Sequence, residues 1–235
     1  MRDEPTRFQE RVILFDVDNT LLDNDAVQED LRAHIAREFG DEARDRYWGI
    51  LERLRAELGY VDYLGALERY RFECIREPRV LALSCWLVDY PFARRLYPAA
   101  MRVLEHARRA GSVAILSDGD AVFQPCKVMR SGLWNAVDGR VLIYVHKEDM
   151  LAEIERLLPA RHYVMVDDKV RILAAMKSAW GERLTTVQPR QGHYANDPSN
   201  ARRYPAADVT IPAIDDLLRI DFARLGVAAS STPGA

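Results

Sequence analysis

Apolar residues gather in short unbroken runs along this chain: "VILFD" (12–16), "SVAILS" (112–117), "VLIYV" (141–145), "HYVMVD" (162–167), "LTTV" (184–187) and "DVTI" (208–211). Runs of this length without apolar–polar alternation predict β-strands covered on both faces. Between several of them the period becomes helical. "PAAMRVLEHARRAG" (98–111) and "KVRILAAMKSAWG" (169–181) both stop on glycine, and "KEDMLAEIERLL" (147–158) sets Met150, Ile154, Leu157 and Leu158 on one face. Strands alternating with helices predict an α/β fold: a parallel sheet with helices on both faces.

One gap breaks the rhythm. The stretch between the first two runs is far longer than an ordinary crossover, and residues 23–95 carry at least three amphipathic stripes. These are Leu31, Ile35 and Phe39; Tyr47, Ile50, Leu51, Leu54 and Leu58; and Tyr63, Leu67, Tyr70 and Cys74. The expected organisation is an α/β core from residues 1–22 and 96–225, an inserted helical domain at 23–95, and a disordered tail at 226–235. Composition narrows the function classes. A net charge of −3 over 235 residues gives no basis for nucleic acid or a membrane surface as partner. The apolar run "VLALSCWLV" (80–88) is too short to span a bilayer. The charged start "MRDEPTRFQE" is unlike a secretory signal, and Cys74, Cys85 and Cys126 are scattered, so a cytoplasmic protein is expected. Lysine occurs only at 127, 147, 169 and 177, every other basic residue being arginine, which marks those four positions.

The chemistry lies just beyond the apolar runs. In an open α/β sheet the carboxyl ends of the strands face the ligand. The first run delivers Asp16 and Asp18, the second Ser117 and Asp118, the third Lys147, and the fourth Asp167, Asp168 and Lys169. Crowded carboxylates resist ionising together, and a divalent cation resolves the conflict; an all-oxygen donor set suits Mg²⁺. A carboxylate can attack phosphorus, a second acid two residues on can move the proton, and a metal and a lysine offset the meeting of two anions. Ser117 and the N–H groups after it can hold phosphate oxygens.

"DVDNT", "ILSDG", a lysine opening a helix, and "VMVDD", in this order, resemble the haloacid dehalogenase superfamily, and specifically its Mg²⁺-dependent phosphatases. The resemblance implies a Rossmann-like parallel sheet with a helical cap inserted at 23–95. It makes Asp16 the nucleophile and Asp18 the general acid/base, with Asp18 also lending a backbone carbonyl to the metal. It makes Ser117, Asp118 and Lys147 phosphate-binding, Asp16 and Asp168 metal ligands beside the Asp18 carbonyl, and Asp167 a ligand either directly or through a neighbouring group. Many members carry a further acid where this chain has Arg171, Ile172 and Leu173; in the paired-acid variant of the family Asp167 substitutes for it. The substrate implied is a small phosphorylated metabolite, with no protein partner.

Other chemistries fit less well. Dehalogenases of the superfamily lack the second acid and the metal. Phosphonatases need a cap lysine, and 23–95 contains none. A phosphomutase would share the whole site, and a catalytically silent binding protein could use the same scaffold. A phospho-receiver module would carry its acid pair early and lack the insertion. Three further readings bear on the site. Lys169 either pairs with Asp167 or Asp168 or points to solvent. Tyr47, Trp48, Tyr60 and Tyr63 are expected mostly in packing. The stretch 189–200 begins on the active edge, so Arg190, His193 and Tyr194 could reach substrate; an ordinary surface loop is the favoured expectation.

Overall fold

The computed structural model describes residues 8–73 and 77–226. Of the tail expected at 226–235, residues 227–235 lie outside the described residues, as does Cys74 of the third stripe; Gly226 sits in a turn. Six strands, β1 (Gln9–Phe15), β2 (Ser112–Asp118), β3 (Val141–Tyr144), β4 (Ala160–Val166), β5 (Leu184–Pro189) and β6 (Val209–Ile211), form one sheet in the order β3-β2-β1-β4-β5-β6. Every neighbouring pair is parallel, with Phe15 opposite both Ile115 and Val166. The α/β expectation therefore holds.

The unbroken apolar runs are explained by two cores. In β1, Ile13 and Phe15 point into one cluster with Val113, Ile115, Val164 and Val166. Val12 and Leu14 point the other way, joining Leu116, Met165, Ile172 and Met176. Alternate side chains face opposite sides, and both sides are covered, so apolar residues are favoured at consecutive positions of the inner half of β1. The chain moves outward from β1 through β2 to β3, then returns to β4 on the other side. This reversal opens a crevice at the carboxyl end of β1.

Four helices fill the long gap: α1 (Asn24–Phe39), α2 (Asp41–Leu58), α3 (Tyr63–Glu73) and α4 (Val80–Asp89). Asp23 caps α1 by accepting from Ala26 N at 2.9 Å. The two chain crossings into this segment are joined to each other: Asp23 N donates to Arg95 O at 2.7 Å and Tyr97 N to Leu21 O at 2.9 Å. The apolar run at 80–88 is α4, and no described helix is long and apolar enough to cross a membrane.

The remaining helices are α5 (Ala100–Arg108), α6 (Phe123–Arg130), α7 (Leu133–Ala136), α8 (Leu151–Leu157), α9 (Val170–Trp180), α10 (Gly192–Asn196) and α11 (Asn200–Arg203). Two helix expectations need correction. The helix expected over 98–111 ends at Arg108, ahead of Gly111. The helix expected over 147–158 is split: a 3₁₀ turn over Lys147–Asp149 is followed by a break at Met150 and then α8. Lys147 N is held by Asp118 Oδ1 at 3.0 Å, which ties this turn to the sheet edge. The stretch 189–200 also departs from a plain loop, since it contains α10.

Candidate active site

Asp16 follows β1 directly and is 1% exposed. Lys147 Nζ lies 2.6 Å from Asp16 Oδ1 and 2.7 Å from Asp167 Oδ2, and donates to Leu116 O at 3.1 Å. Lys147 is fully buried. Burial works against its charge, but Asp16, Asp167 and Asp118 outweigh it and hold the ammonium above the ordinary lysine range. The lysine on which the sequence reading relied therefore sits between two of the predicted acids.

Asp16, Asp167 and Asp168 are all buried, and each offers an oxygen within 4.8 Å of the others. Asp16 Oδ2 and both oxygens of Asp168 have no hydrogen-bond partner. Buried oxygens of this kind are costly unless something positive meets them. Burial, then Asp167 and Asp16, push the Asp168 carboxyl well above the usual carboxylate range, and Asp167 is raised for similar reasons against the pull of Lys147. Three hard oxygen donors in a dry pocket fit a divalent cation. Asp168 is fixed from its backbone, N donating to Thr20 Oγ1 at 3.1 Å and O accepting from Gln188 Nε2 at 3.1 Å.

Asp18 is set apart from this cluster. Its Oδ1 accepts from Lys127 Nζ at 2.6 Å and its Oδ2 from Gln124 Nε2 at 3.3 Å. Lys127, on α6, also donates to Asn24 Oδ1 at 3.0 Å. The Asp18 side chain is thus absent from the acid triad, leaving its backbone carbonyl as the group the resemblance assigned to the metal. The turn that carries it is tight: Asn19 adopts a left-handed φ of 58°, which Asn tolerates, and its Oδ1 accepts from Asn24 N at 3.0 Å and Asp25 N at 3.2 Å.

Ser117 Oγ donates to Asp16 Oδ1 at 3.4 Å and accepts from Gln124 Nε2 at 2.9 Å. Asp118 presents Oδ1 to Lys147 N and lies 3.8 Å by Oδ2 from Lys169 Nζ. Lys169 therefore does not simply point to solvent: Asp118 is its nearest carboxylate, and its charge also acts on Asp167 and Asp168. All four lysines face carboxylates, Lys177 meeting Asp208 at 2.9 Å. Their scarcity in the sequence flagged them, but the helix position of Lys127 gave no cue to its partner.

Beside the triad lies a cavity of about 270 Å³. Asp18, Lys127 and Lys169 line it from the sheet side, and Arg55, Tyr60 and Tyr63 from the helical segment. Tyr47 and Trp48 are buried in packing as expected, whereas Tyr60 and Tyr63 reach the cavity. Tyr194 reaches it too, which corrects the surface-loop expectation. Its helix α10 is pinned on the turn after β1. His193 Nδ1 lies 2.6 Å from Asp25 Oδ1, and Gln191 Nε2 donates to Thr20 O at 2.8 Å. Gly192, at φ 73°, packs so closely that a Cβ there would lie 2.5 Å from Asn19 Cβ.

The family profile of haloacid dehalogenase-like hydrolases matches residues 10–179. The chain is a haloacid dehalogenase-like hydrolase. A structure described as such a hydrolase from Burkholderia xenovorans LB400 is 62% identical, with a TM-score of 0.86, covering 90% of this chain and 99% of that one. L-2-haloacid dehalogenase from Xanthobacter autotrophicus, with chloropropionic acid covalently bound, is 20% identical with a TM-score of 0.58 over 88% of this chain and 96% of its own. The HAD-hydrolase YfnB from Bacillus subtilis, bound to magnesium, is 15% identical with a TM-score of 0.61, over 89% and 97%. At those identities the last two share the fold alone. Among curated proteins none matches the chain. Family membership supports hydrolysis, and the buried triad is a group that could hold a metal; the family alone leaves open whether the bond broken is to phosphorus or to halogen.

Proposed function

We propose that this hydrolase is a Mg²⁺-dependent phosphatase acting on a small phosphomonoester, with no protein partner required. The observation that carries the reading is the buried triad of Asp16, Asp167 and Asp168 with unpartnered oxygens, packed around the ammonium of Lys147. A halide-displacing site has no use for three converging carboxylates, whereas attack on a phosphate dianion needs positive charge gathered around the nucleophile. Asp16, Asp167 and Asp168 would hold Mg²⁺, which supplies Lewis-acid neutralisation of the phosphate oxygens.

Asp16 attacks phosphorus through a carboxylate oxygen, forming an aspartyl-phosphate as the bond to the leaving oxygen breaks. Lys147 offsets the negative charge that builds up beside Asp16. Asp18 gives a proton to the leaving oxygen, then takes one from the water that hydrolyses the intermediate and frees Asp16. Gln124 and Lys127 orient Asp18 for both transfers. Ser117 Oγ and the N–H groups after β2 bind phosphate oxygens. Residues 23–95 act as a cap that excludes water and selects the organic part of the substrate.

The test is turnover of an aryl phosphate in Mg²⁺ by the wild type and by Asp16→Asn and Asp18→Asn. Both variants are expected to lose on the order of 10³-fold or more in rate, and Asp18→Asn to accumulate phosphate on Asp16. Near-normal turnover by Asp16→Asn would overturn the assignment.

A further inference from the structure

The phosphoryl machinery leaves part of the cavity unexplained. Four basic side chains line it, and two of them are already neutralised: Lys127 by Asp18, and Arg171 by Glu148. The other two make no short carboxylate contact. The nearest carboxylate oxygen to Lys169 Nζ belongs to Asp118 at 3.8 Å, beyond hydrogen-bond distance, although Asp16, Asp168, Asp118 and Asp167 together outweigh burial and hold its ammonium above the ordinary lysine range. Arg55 faces Glu52 at 3.4 Å in a pair that is open to water on both sides, and such pairs contribute little.

These two cations come from opposite sides of the cavity and meet at one residue. Arg55 belongs to α2 in the helical segment, and its guanidinium donates to Tyr194 Oη and stands 5.4 Å from the Tyr194 ring centroid. Lys169 belongs to the sheet edge, and its Nζ stands 5.4 Å from the same ring. Arg55 is about one-third exposed and Lys169 about one-quarter, at 34% and 26%, so both can reach a ligand in the cavity. A cleft that sets an arginine and a lysine around a tyrosine, neither closed by a short carboxylate contact, can take negative charge other than the phosphoryl group on Asp16.

We propose that Arg55 and Lys169, spaced by Tyr194, bind a second anionic group on the substrate, a carboxylate or a second phosphate. This rests on the phosphatase reading and narrows it: substrates are small phosphomonoesters whose organic part is itself an anion. Arg55 is then the specificity residue of the helical segment. Its guanidinium gives a carboxylate or phosphate a two-pronged contact that a neutral hydroxyl cannot return.

Matched substrates test this. Phosphoglycolate, 2-hydroxyethyl phosphate and ethylene glycol bisphosphate differ only in carrying a carboxylate, a hydroxyl or a phosphate at the far end. In Mg²⁺, the wild type should favour the carboxylate or the bisphosphate over the hydroxyl compound in kcat/KM by roughly ten- to a hundredfold, the scale of a charge-assisted contact, mainly through KM. Which of the two anions is preferred identifies the second group. In Arg55→Met the preference should collapse toward unity, and Arg55→Lys should restore part of it. Tyr194→Phe, which removes the hydroxyl but keeps the ring, should retain the preference. If Arg55 merely latches the helices to the sheet, Arg55→Met will raise KM for all three compounds alike, and that result overturns the proposal. Hydrolysis of an aryl phosphate by the wild type, with no preference among the three, also overturns it while leaving the phosphatase reading standing. Failure on the aryl phosphate as well removes both.

Discussion

Lys127 Nζ lies 2.6 Å from Asp18 Oδ1, the lysine 1% and the aspartate 24% exposed. A buried ammonium from α6 thus holds, from behind, a carboxylate that opens on the cavity. Lys127→Met should free Asp18 without stranding a buried charge, because Asp18 reaches water. We expect kcat for an aryl phosphate to fall by about ten- to a hundredfold, part of the range for general acid–base assistance, with the Mg²⁺-dependent rise in melting temperature intact. Unchanged kcat in a folded variant would make this ion pair a packing feature only.

The crowded triad predicts a trade of stability for metal binding. Asp168 is fully buried, its oxygens have no hydrogen-bond partner, and burial together with Asp167 and Asp16 disfavours its charge. Asp168→Asn should hold or raise the melting temperature of the metal-free protein. The wild type should gain on the order of 5 °C in saturating Mg²⁺, and the variant should lose that gain. Calorimetry with and without chelator measures both; an equal gain in the variant would exclude Asp168 as a ligand.

Asp208 gives a pH dependence remote from the site. Burial alone would raise its carboxyl, but Lys177 and both the N–H and hydroxyl of Thr186 bind it, and they hold it below the usual range. With the folded value depressed, the contribution is present above the unfolded value of about 4 and is lost as pH falls through the folded one. Because Asp208 and Lys177 are each 37% exposed, screening limits the effect to about 1 kcal/mol. Asp208→Asn should lower the urea midpoint near pH 7, and its gap to the wild type should shrink as the pH falls below about 4. A gap that persists in acid would contradict the charge-based account.

The sheet and most of the site could be read from the sequence for one physical reason. The inner strands are buried on both faces and β3 is partly buried, so the first polar residues after them lie at the sheet edge. That rule finds Asp16, Ser117, Lys147, Asp167 and Asp168. It cannot find Lys127, which sits within a helix and becomes a site residue only because α1 brings Asn24 beside it and the turn after β1 brings Asp18. The sequence left Tyr194 undecided between loop and site for the same reason: contacts to Asp25 and Asn19, far away in sequence, turn its stretch toward the cavity. The break at Met150, where the backbone leaves helical dihedrals, is not encoded in the helical period of the sequence.

The central claim is that this hydrolase cleaves phosphate esters with a metal and does not displace halide. The direct measurement supplies the same enzyme with an aryl phosphate and with 2-chloropropionate, each in Mg²⁺ and in chelator, and assays phosphate and chloride released. The account predicts phosphate release that requires Mg²⁺, and no chloride under either condition. Chloride release that persists in chelator, with no phosphate released in Mg²⁺, would contradict it.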